Sequence, residues 1–355
     1  MTDPQELPGA PFRAVLVGCG PRGEGHAAAY RMARHAQLVA CVDMDAVRAE
    51  ALARRFDVPI WSTDLAGLLA TQRSHLVDVC TPANTHGAVV ETALRFDPAV
   101  VLVEKPMTVL PEEGYRMIGR CEAAGVPLIV NHQLRFLPQL QELRDLVASG
   151  ALGVVRAVRT ATQCTLLEQG THLFDLVDFL LPGMLGSAQV LAQTVGRERD
   201  PRLPDSPEYA QGVVRCADGT RIYFECGPQA PEWPGRANPW HQAGLDILGD
   251  RGRLSWSLNR GWHCDTTDGT WQNFYQHEDV DDPAEAVLLD SLAPAPQHAS
   301  RLSSTHPNAA RVARRSLDVV MAAQYSSLLR GWVDVQGHVD DEAIAALRVA
   351  QLAPV

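Results

Sequence analysis

At 355 residues the chain is long enough for two domains of about 150 residues each, and its 46% hydrophobic and 21% charged content is that of a globular protein, not a disordered one. Acidic residues outnumber basic ones 42 to 31, and the resulting net charge of −11 argues against nucleic acid or an anionic membrane as partner. No apolar run reaches the roughly 18 residues a membrane helix needs, the start MTDPQELPGAPFR lacks the basic and apolar stretches of a signal peptide, and the eight cysteines include no Cys-x-x-Cys pair, so a cytoplasmic protein without a disulfide framework is expected.

Residues 1–11 read as a polar tail. From residue 12 to about 130, short apolar runs at 14–17, 38–42, 77–80, 100–103 and 127–130 alternate with helix-like stretches at 27–33, 45–56, 65–71, 85–95 and 111–124. Continuous apolar strands separated by helices predict a parallel sheet covered on both faces, an α/β doubly wound Rossmann domain over 12–131. Past residue 154 the texture changes. Runs at 213–216 and 221–226 flank Asp218-Gly219, a two-residue hairpin signal, and further strand candidates lie at 157–161, 245–248, 253–256 and 261–265. Residues 132–355 are therefore expected to form an α+β domain around a large, mostly antiparallel open sheet. A proline-rich loop at 291–300 precedes a long helix predicted over 308–330.

The first chemical motif is Gly18-Cys19-Gly20-Pro21-Arg22-Gly23, placed between a strand and a helix. Glycines there permit the tight turn and the close approach of backbone to a pyrophosphate, which the unpaired N–H groups of the helix N-terminus can hold. The competing reading is a glycine turn without a nucleotide. Asp43 stands 25 residues beyond Gly18, near the spacing for an acid that binds ribose hydroxyls. Its charge opposes a 2′-phosphate, so NAD is favoured over NADP, with Arg22 and Arg48 as the opposing feature.

Of the 31 basic residues only Lys105 is a lysine. Arginine replaces lysine wherever a solvated charge suffices, but not where a compact ammonium must tune its pKa or move a proton. Lys105 follows Glu104 at the carboxyl end of a buried strand, the edge at which doubly wound sheets bind ligands. It is placed to stabilise a developing alkoxide, the alternative being a strand-end ion pair with Glu104. Farther on, Glu168, His172 and Asp175 fall at about 0°, 40° and 340° on a helical wheel, so a single helix would put them on one face. A carboxylate one turn from a histidine can orient its ring; a helix-stabilising glutamate beside a core histidine is the other reading, and no third metal ligand is visible nearby.

With these motifs in order (GCGPRG at 18–23, Asp43, Thr81-Pro82 with His86, Glu104-Lys105-Pro106, Asn131-x-x-x-Arg135-Phe136-x-Pro138 and Gly170-x-His172-x-x-Asp175) the sequence resembles the glucose–fructose oxidoreductase / inositol dehydrogenase (Gfo/Idh/MocA) family across residues 12–183. The resemblance implies a Rossmann domain holding a nicotinamide nucleotide, a sheet domain carrying the substrate pocket, and oxidation or reduction at a carbinol carbon of a sugar, sugar derivative or cyclitol. It implies that Gly18 to Gly23, Asp43, Thr81, Pro82, His86, Glu104 and Lys105 contact the nucleotide, and that Lys105, His172 and Glu168 carry the chemistry without a metal. The family pattern Gly-Gly-x-x-x-Asp-x-x-x-His becomes Gln163-Cys164-x-x-x-Glu168-x-x-x-His172, so the usual aspartate is a glutamate and both glycines are replaced. Ala83 stands where the family has asparagine after Thr-Pro. Arg135 is open between a ligand contact and a structural salt bridge.

Five of the seven tryptophans (233, 240, 256, 262 and 271) lie within 39 residues. Indole faces pack against the C–H face of a pyranose, but they also fill sheet cores and subunit interfaces, and both roles remain open. The expected protein is an NAD-dependent sugar or cyclitol oxidoreductase that self-associates as a homodimer or homotetramer. Two alternatives are an NAD-recycling glycosidase of the same fold and a non-catalytic nucleotide-sensing protein.

Overall fold

The computed structural model describes residues 12–196, 206–233, 238–293, 306–337 and 341–350. The tail at 1–11 and most of the proline-rich loop at 291–300 lie outside them.

Six parallel strands form the first sheet: β1 (Phe12–Val17), β2 (Ala36–Val42), β3 (Ile60–Ser62), β4 (Leu76–Val79), β5 (Val100–Val103) and β6 (Leu128–Val130), in the spatial order β3-β2-β1-β4-β5-β6. This is the doubly wound order whose switch point lies between β1 and β4. The connections carry α1 (Pro21–Tyr30), α2 (Ala46–Phe56), α3 (Leu65–Thr71), α4 (His86–Leu94) and α5 (Pro111–Ala124). Helices cover both faces, so β4 and β5 are buried at every residue and read as unbroken apolar runs, interrupted only by Asp78. Local chemistry sets the helix ends. Asp45 caps α2 through Val47 N and Arg48 N, Asp64 caps α3 through Gly67 N, and Gly125 ends α5 at φ +70°. The strand β3, Ile60–Ser62, has only three residues and no sequence signal of its own; pairing with β2 creates it.

After α6 (Pro138–Ala148) the chain enters a nine-stranded sheet built from β7 (Val155–Thr162), β8 (Gln189–Val195), β9 (Tyr209–Arg215), β10 (Arg221–Cys226), β11 (Ala243–Gly249), β12 (Gly252–Ser257), β13 (Gly261–Thr266), β14 (Gly269–Phe274) and β15 (Val333–Asp334). Every pairing is antiparallel except β7 with β10. The expected β9–β10 hairpin forms, but its turn has three residues: Cys216 N donates to Thr220 O, Gly219 N to Cys216 O, and Gly219 takes φ +88°. A left-handed glycine closing a three-residue turn is the next most favoured hairpin solution after the two-residue one.

The register divides the sheet into two faces. Val190, Val214, Ile222, Val158, Ile247, Leu254 and Cys264 run across it in one row, all 0% exposed. This row packs under α7 (Thr171–Leu180) and α9 (Ala310–Leu329), the latter being the predicted long helix. The opposite row holds Leu191, Val213, Tyr223, Arg159, Asp246, Ser255 and His263, a mixed surface more polar than an open apolar face. Two C-terminal elements reach back to the first sheet. The helix α8 (His277–Ser291) packs on α1, and Asn308 O accepts from Val130 N. A last helix, α10 (Asp341–Ala350), packs on α9.

Candidate active site

The glycine-rich turn is built for close approach of a ligand. Gly18 has φ +101°, and a Cβ there would lie 2.6 Å from Cys80 O; a Cβ on Gly23 would lie 2.0 Å from Gly18 O. Both positions therefore accept only glycine. Gly20 differs, since a Cβ on it meets nothing within 4 Å, leaving open space in front of the helix. Pro21 occupies the first turn of α1, and no side chain caps that N-terminus. An uncapped helix start behind an open glycine suits a pyrophosphate.

Asp43 sits just past β2 and accepts from Cys19 N at 2.9 Å, Asp45 N at 2.9 Å and Arg48 Nη2 at 2.9 Å. Burial pushes its pKa up, but the Arg48 side chain and the two amides outweigh it, so the carboxylate lies below its ordinary range. Arg22 points the other way. Its Nε donates to Glu104 at 2.6 Å and its Nη2 to Glu285 at 2.8 Å, with Asp281 at 3.6 Å from Nη1. Arg22 is thus held by three carboxylates, while Arg48 flanks Asp43. Replacing Asp43 by serine is expected to raise affinity for NADPH relative to NADH by roughly 10-fold or more, because it removes the like charge and frees Arg48 for a phosphate. Fluorescence titration of both nucleotides checks this, and an unchanged ratio would show that Asp43 does not read the ribose.

Beneath the turn lies a buried polar cluster. His26 on α1 places Nδ1 2.8 Å from Asp78 and Nε2 2.8 Å from Glu104, and Asn131 Nδ2 donates to Glu104 at 2.8 Å and to Glu285 at 2.8 Å. Burial alone would discharge His26, but the Asp78 and Glu285 carboxylates outweigh it and hold the imidazolium well above its usual pKa. His26, Glu104 and Glu285 bring ligand atoms close enough for a metal ion. The Arg22 guanidinium bridging both glutamates already supplies positive charge there. Glu104, expected beside the nucleotide, lines the same cavity as Arg22 and Lys105 and, at 5% exposure, is also the hub of this cluster. His26, Asp78, Asn131 and Glu285 formed no part of the expected site. The legible signal was Asp78, an acid inside an apolar strand, which must find a partner when buried.

Lys105 begins at the carboxyl end of β5, where its backbone N donates to Glu104 at 3.0 Å. Its Nζ donates to the backbone oxygen of Glu168 at 2.7 Å and stands over the Trp240 ring, 5.0 Å from the centroid. Burial lowers its pKa, with Glu104 and Glu168 opposing. Glu168 comes from a π-helical turn, Leu166–Gly170, capped by Thr165, and His172 from the first turn of α7. The sequence reading of one continuous α-helix is corrected here. The π turn changes the phase, so Glu168 and His172 both face the pocket while Asp175 is carried elsewhere. Asp175 receives two parallel bonds from Arg135, at 2.8 Å each, and lies 3.7 Å from His132 Nδ1. Arg135 is therefore a structural salt bridge. The His132 ring meets the His172 ring edge to face at 5.4 Å. Burial drives the His172 pKa well below its ordinary value, and Lys105 and His132 push it the same way.

These side chains enclose a cavity of about 370 Å³. Pro21, Arg22, Pro82 and Ala83 line its nucleotide end; Lys105, Glu168, Gln169, His172, Trp240 and Leu258 line the other. Thr81 and His86 stand behind it. His86 is buried, its Nε2 2.8 Å from Thr81 O and its Nδ1 3.0 Å from Met107 O, so it ties together the two loops that bear Pro82 and Lys105. The tryptophans divide between the two open roles. Trp256 and Trp262 are buried with Nε1 bonded to Tyr275 Oη and Gln139 O, Trp233 Nε1 bonds Ala161 O, Trp271 is exposed on β14, and Trp240 reaches the pocket.

Residues 12–132 match the oxidoreductase family with an NAD-binding Rossmann fold, GFO_IDH_MocA. A D-apiose dehydrogenase of Rhizobium rhizogenes is 30% identical over 314 residues, covering 72% of this chain and 90% of that protein. The chain belongs to the Gfo/Idh/MocA family. A second Gfo/Idh/MocA relative, a D-apiose dehydrogenase of Paraburkholderia graminis, is 32% identical over 239 residues, 61% of this chain but only 64% of that protein's length. The solved structure of a levoglucosan dehydrogenase with NADH and levoglucosan has the same fold, with a TM-score of 0.75 at 18% identity over 92% of this chain and 100% of that one. As a Gfo/Idh/MocA member the chain is an oxidoreductase whose nucleotide is NAD, and the open Gly20 cradle, the uncapped α1 and the Asp43 acceptor are the residues that fit it. No helix among the described residues is long and apolar enough to cross a membrane.

Proposed function

We propose that the protein oxidises or reduces a carbinol carbon of a sugar, sugar derivative or cyclitol. The observation that carries this reading is the convergence of Lys105, His172 and Glu168 in one cavity at the carboxyl edge of the nucleotide-binding sheet. NAD, when bound, would supply the hydride acceptor. In the oxidative direction His172, kept neutral by burial and by Lys105, takes the hydroxyl proton. The Lys105 ammonium faces the oxygen on which negative charge develops. Glu168 fixes Lys105 through its carbonyl oxygen and presents its carboxylate to the pocket for a substrate hydroxyl. NADH formation from NAD⁺ with a panel of aldoses, amino sugars, uronates and inositols tests the assignment; no turnover with any of them defeats it.

The pKa directions fix the sign of the pH dependence. Neutral His172 is the working base, so kcat/KM for oxidation rises through a pKa below the ordinary 6.5. Charged Lys105 is the working cation, so kcat/KM falls through a pKa below the ordinary 10.5. A plateau across neutral pH is expected between them, with the acid limb lost in His172→Asn. An acid limb centred above pH 6.5 would remove His172 as the base.

The reading extends to the assembly and its setting. Residues 12–131 serve as the nucleotide domain and 132–355 as the substrate and oligomerisation domain. A homodimer or homotetramer would form through the uncovered sheet face, where Leu191, Val213 and half-exposed Tyr223 form an apolar strip beside Arg159 and Asp246. Light scattering at micromolar concentration should give at least twice the 38.6 kDa chain mass, and a monomer refutes it. All eight cysteines are free, which supports a reducing compartment such as the cytoplasm.

A further inference from the structure

We infer that Trp240 is a positioning residue for Lys105: the face of its indole holds the Lys105 ammonium in the charged form, at the point fixed by the Glu168 carbonyl. The inference rests on the part given to Lys105 above and says what keeps that side chain fit for it.

Lys105 Nζ stands over the Trp240 ring, 5.0 Å from the centroid, inside the roughly 6 Å at which an indole face attracts a cation. One of its three N–H donors goes to Glu168 O at 2.7 Å. These two supports are tied to each other. Gln169 Nε2 donates to the Trp240 carbonyl at 3.2 Å, and Gln169 belongs to the same π turn, Leu166–Gly170, that presents the Glu168 carbonyl. From the other side Asn238 caps the Pro239–His241 turn by accepting from Trp240 N at 3.1 Å. Indole and carbonyl therefore form one bracket around Nζ.

The bracket matters because burial strips the proton from an amine unless something favours the charged form. The groups facing Nζ are the Glu104 and Glu168 carboxylates, the Arg22 guanidinium, the Cys164 thiol and the imidazoles of His132 and His172. The thiol is pushed up to about 12 and both imidazoles are held below their ordinary value, so these three stay neutral at neutral pH. Arg22 opposes the ammonium, and burial lowers its pKa. Glu104 opposes burial with a charge it already shares with Arg22 at 2.6 Å and His26 at 2.8 Å. A peptide carbonyl brings no charge. The π face of Trp240 adds attraction for the ammonium and none for the neutral amine, so it raises the pH at which Lys105 loses its proton.

Lys105 is the only lysine, so the pH dependence of its acylation, read on the Lys105 peptide of the NADH-loaded enzyme, titrates Nζ without turnover. Accessibility scales the rate, whereas the midpoint follows the charge. Replacing tryptophan throughout by mono-, di- and trifluorotryptophan thins the π density with little change of shape, and no other lysine reports on the remaining indoles. NADH binding by fluorescence verifies that each protein folds. The midpoint should fall stepwise, by roughly 0.5–1 pH unit in all, and the alkaline limb of kcat/KM should fall with it. In Trp240→Phe the midpoint should start below that of wild type, and fluorotryptophan should have no further effect. A midpoint that fluorination leaves unmoved, or moves equally in Trp240→Phe, overturns the inference. So does a midpoint that rises in Trp240→Phe, since the indole would then only exclude water. Wild type that turns over no polyol defeats the carbohydrate reading and leaves the labelling result standing.

Discussion

Lys105→Arg is expected to reduce kcat by about 10²-fold or more, nearly as much as Lys105→Ala, the usual scale for removing a positioned donor to a developing oxyanion. Nζ is confined between the Glu168 carbonyl at 2.7 Å and the Trp240 ring at 5.0 Å. A planar guanidinium cannot occupy that gap with the same single donor direction. Arginine also keeps its proton throughout the pH range, whereas burial brings the Lys105 pKa down toward the working range. The alkaline limb of the pH profile should therefore vanish in Lys105→Arg even where residual activity remains. Because Lys105 is the only lysine, amine-selective acylation reaches only this side chain and the chain terminus. Saturating NAD and substrate should protect activity against the reagent. Near-normal turnover by Lys105→Arg, or by a chain acylated at Lys105, would remove this residue from the mechanism.

Arg135→Met is expected to cost about 3–5 kcal/mol of stability, the range for stripping one partner from a buried ion pair. The Arg135 and Asp175 side chains are 6% and 2% exposed, and two parallel bonds join them. Asp178 stands 3.6 Å away and Pro307 O accepts a further Arg135 bond at 3.2 Å, so the guanidinium ties the loop after β6 to α7 and to the approach of α9. Removing it leaves the buried Asp175 carboxylate without its guanidinium, while Asp178 keeps Arg315 at 3.3 Å. The double variant Arg135→Met/Asp175→Leu should regain much of the loss, since an apolar pair of similar volume replaces a buried ion pair at little cost. Urea unfolding of the four proteins in the cycle measures the coupling. Additive effects of the two single substitutions would mean that the pair contributes nothing as a pair.

Several parts of the molecule were legible in one dimension. The period of the apolar runs and the helices between them dictated a parallel doubly wound sheet, because strands buried on both faces cannot alternate. The turn from Gly18 to Gly23 was legible because steric exclusion acts locally: a Cβ at Gly18 or Gly23 would strike backbone atoms. Lys105 stood out because a chain that uses arginine everywhere else had kept one lysine. The helix-like stretches at 65–71 and 111–124 coincide with the helices Leu65–Thr71 and Pro111–Ala124.

Tertiary structure decided the rest, and in each case through contacts between residues far apart in sequence. Glu285 meets Asn131, His26 and Arg22 across more than 150 positions, and no local pattern marks an acid that will be buried against an arginine from the other end of the chain. The role of Arg135 was undecided until Asp175 arrived from α7. The phase of Glu168 against Asp175 depended on a π turn, whose extra residue leaves no trace in a helical wheel. Even within one tryptophan cluster, burial in the sheet separated Trp256 and Trp262 from Trp240. Periodicity and glycine sterics act over a few residues and survive in the sequence. Desolvation and charge pairing act through space, so only the folded chain assigns them.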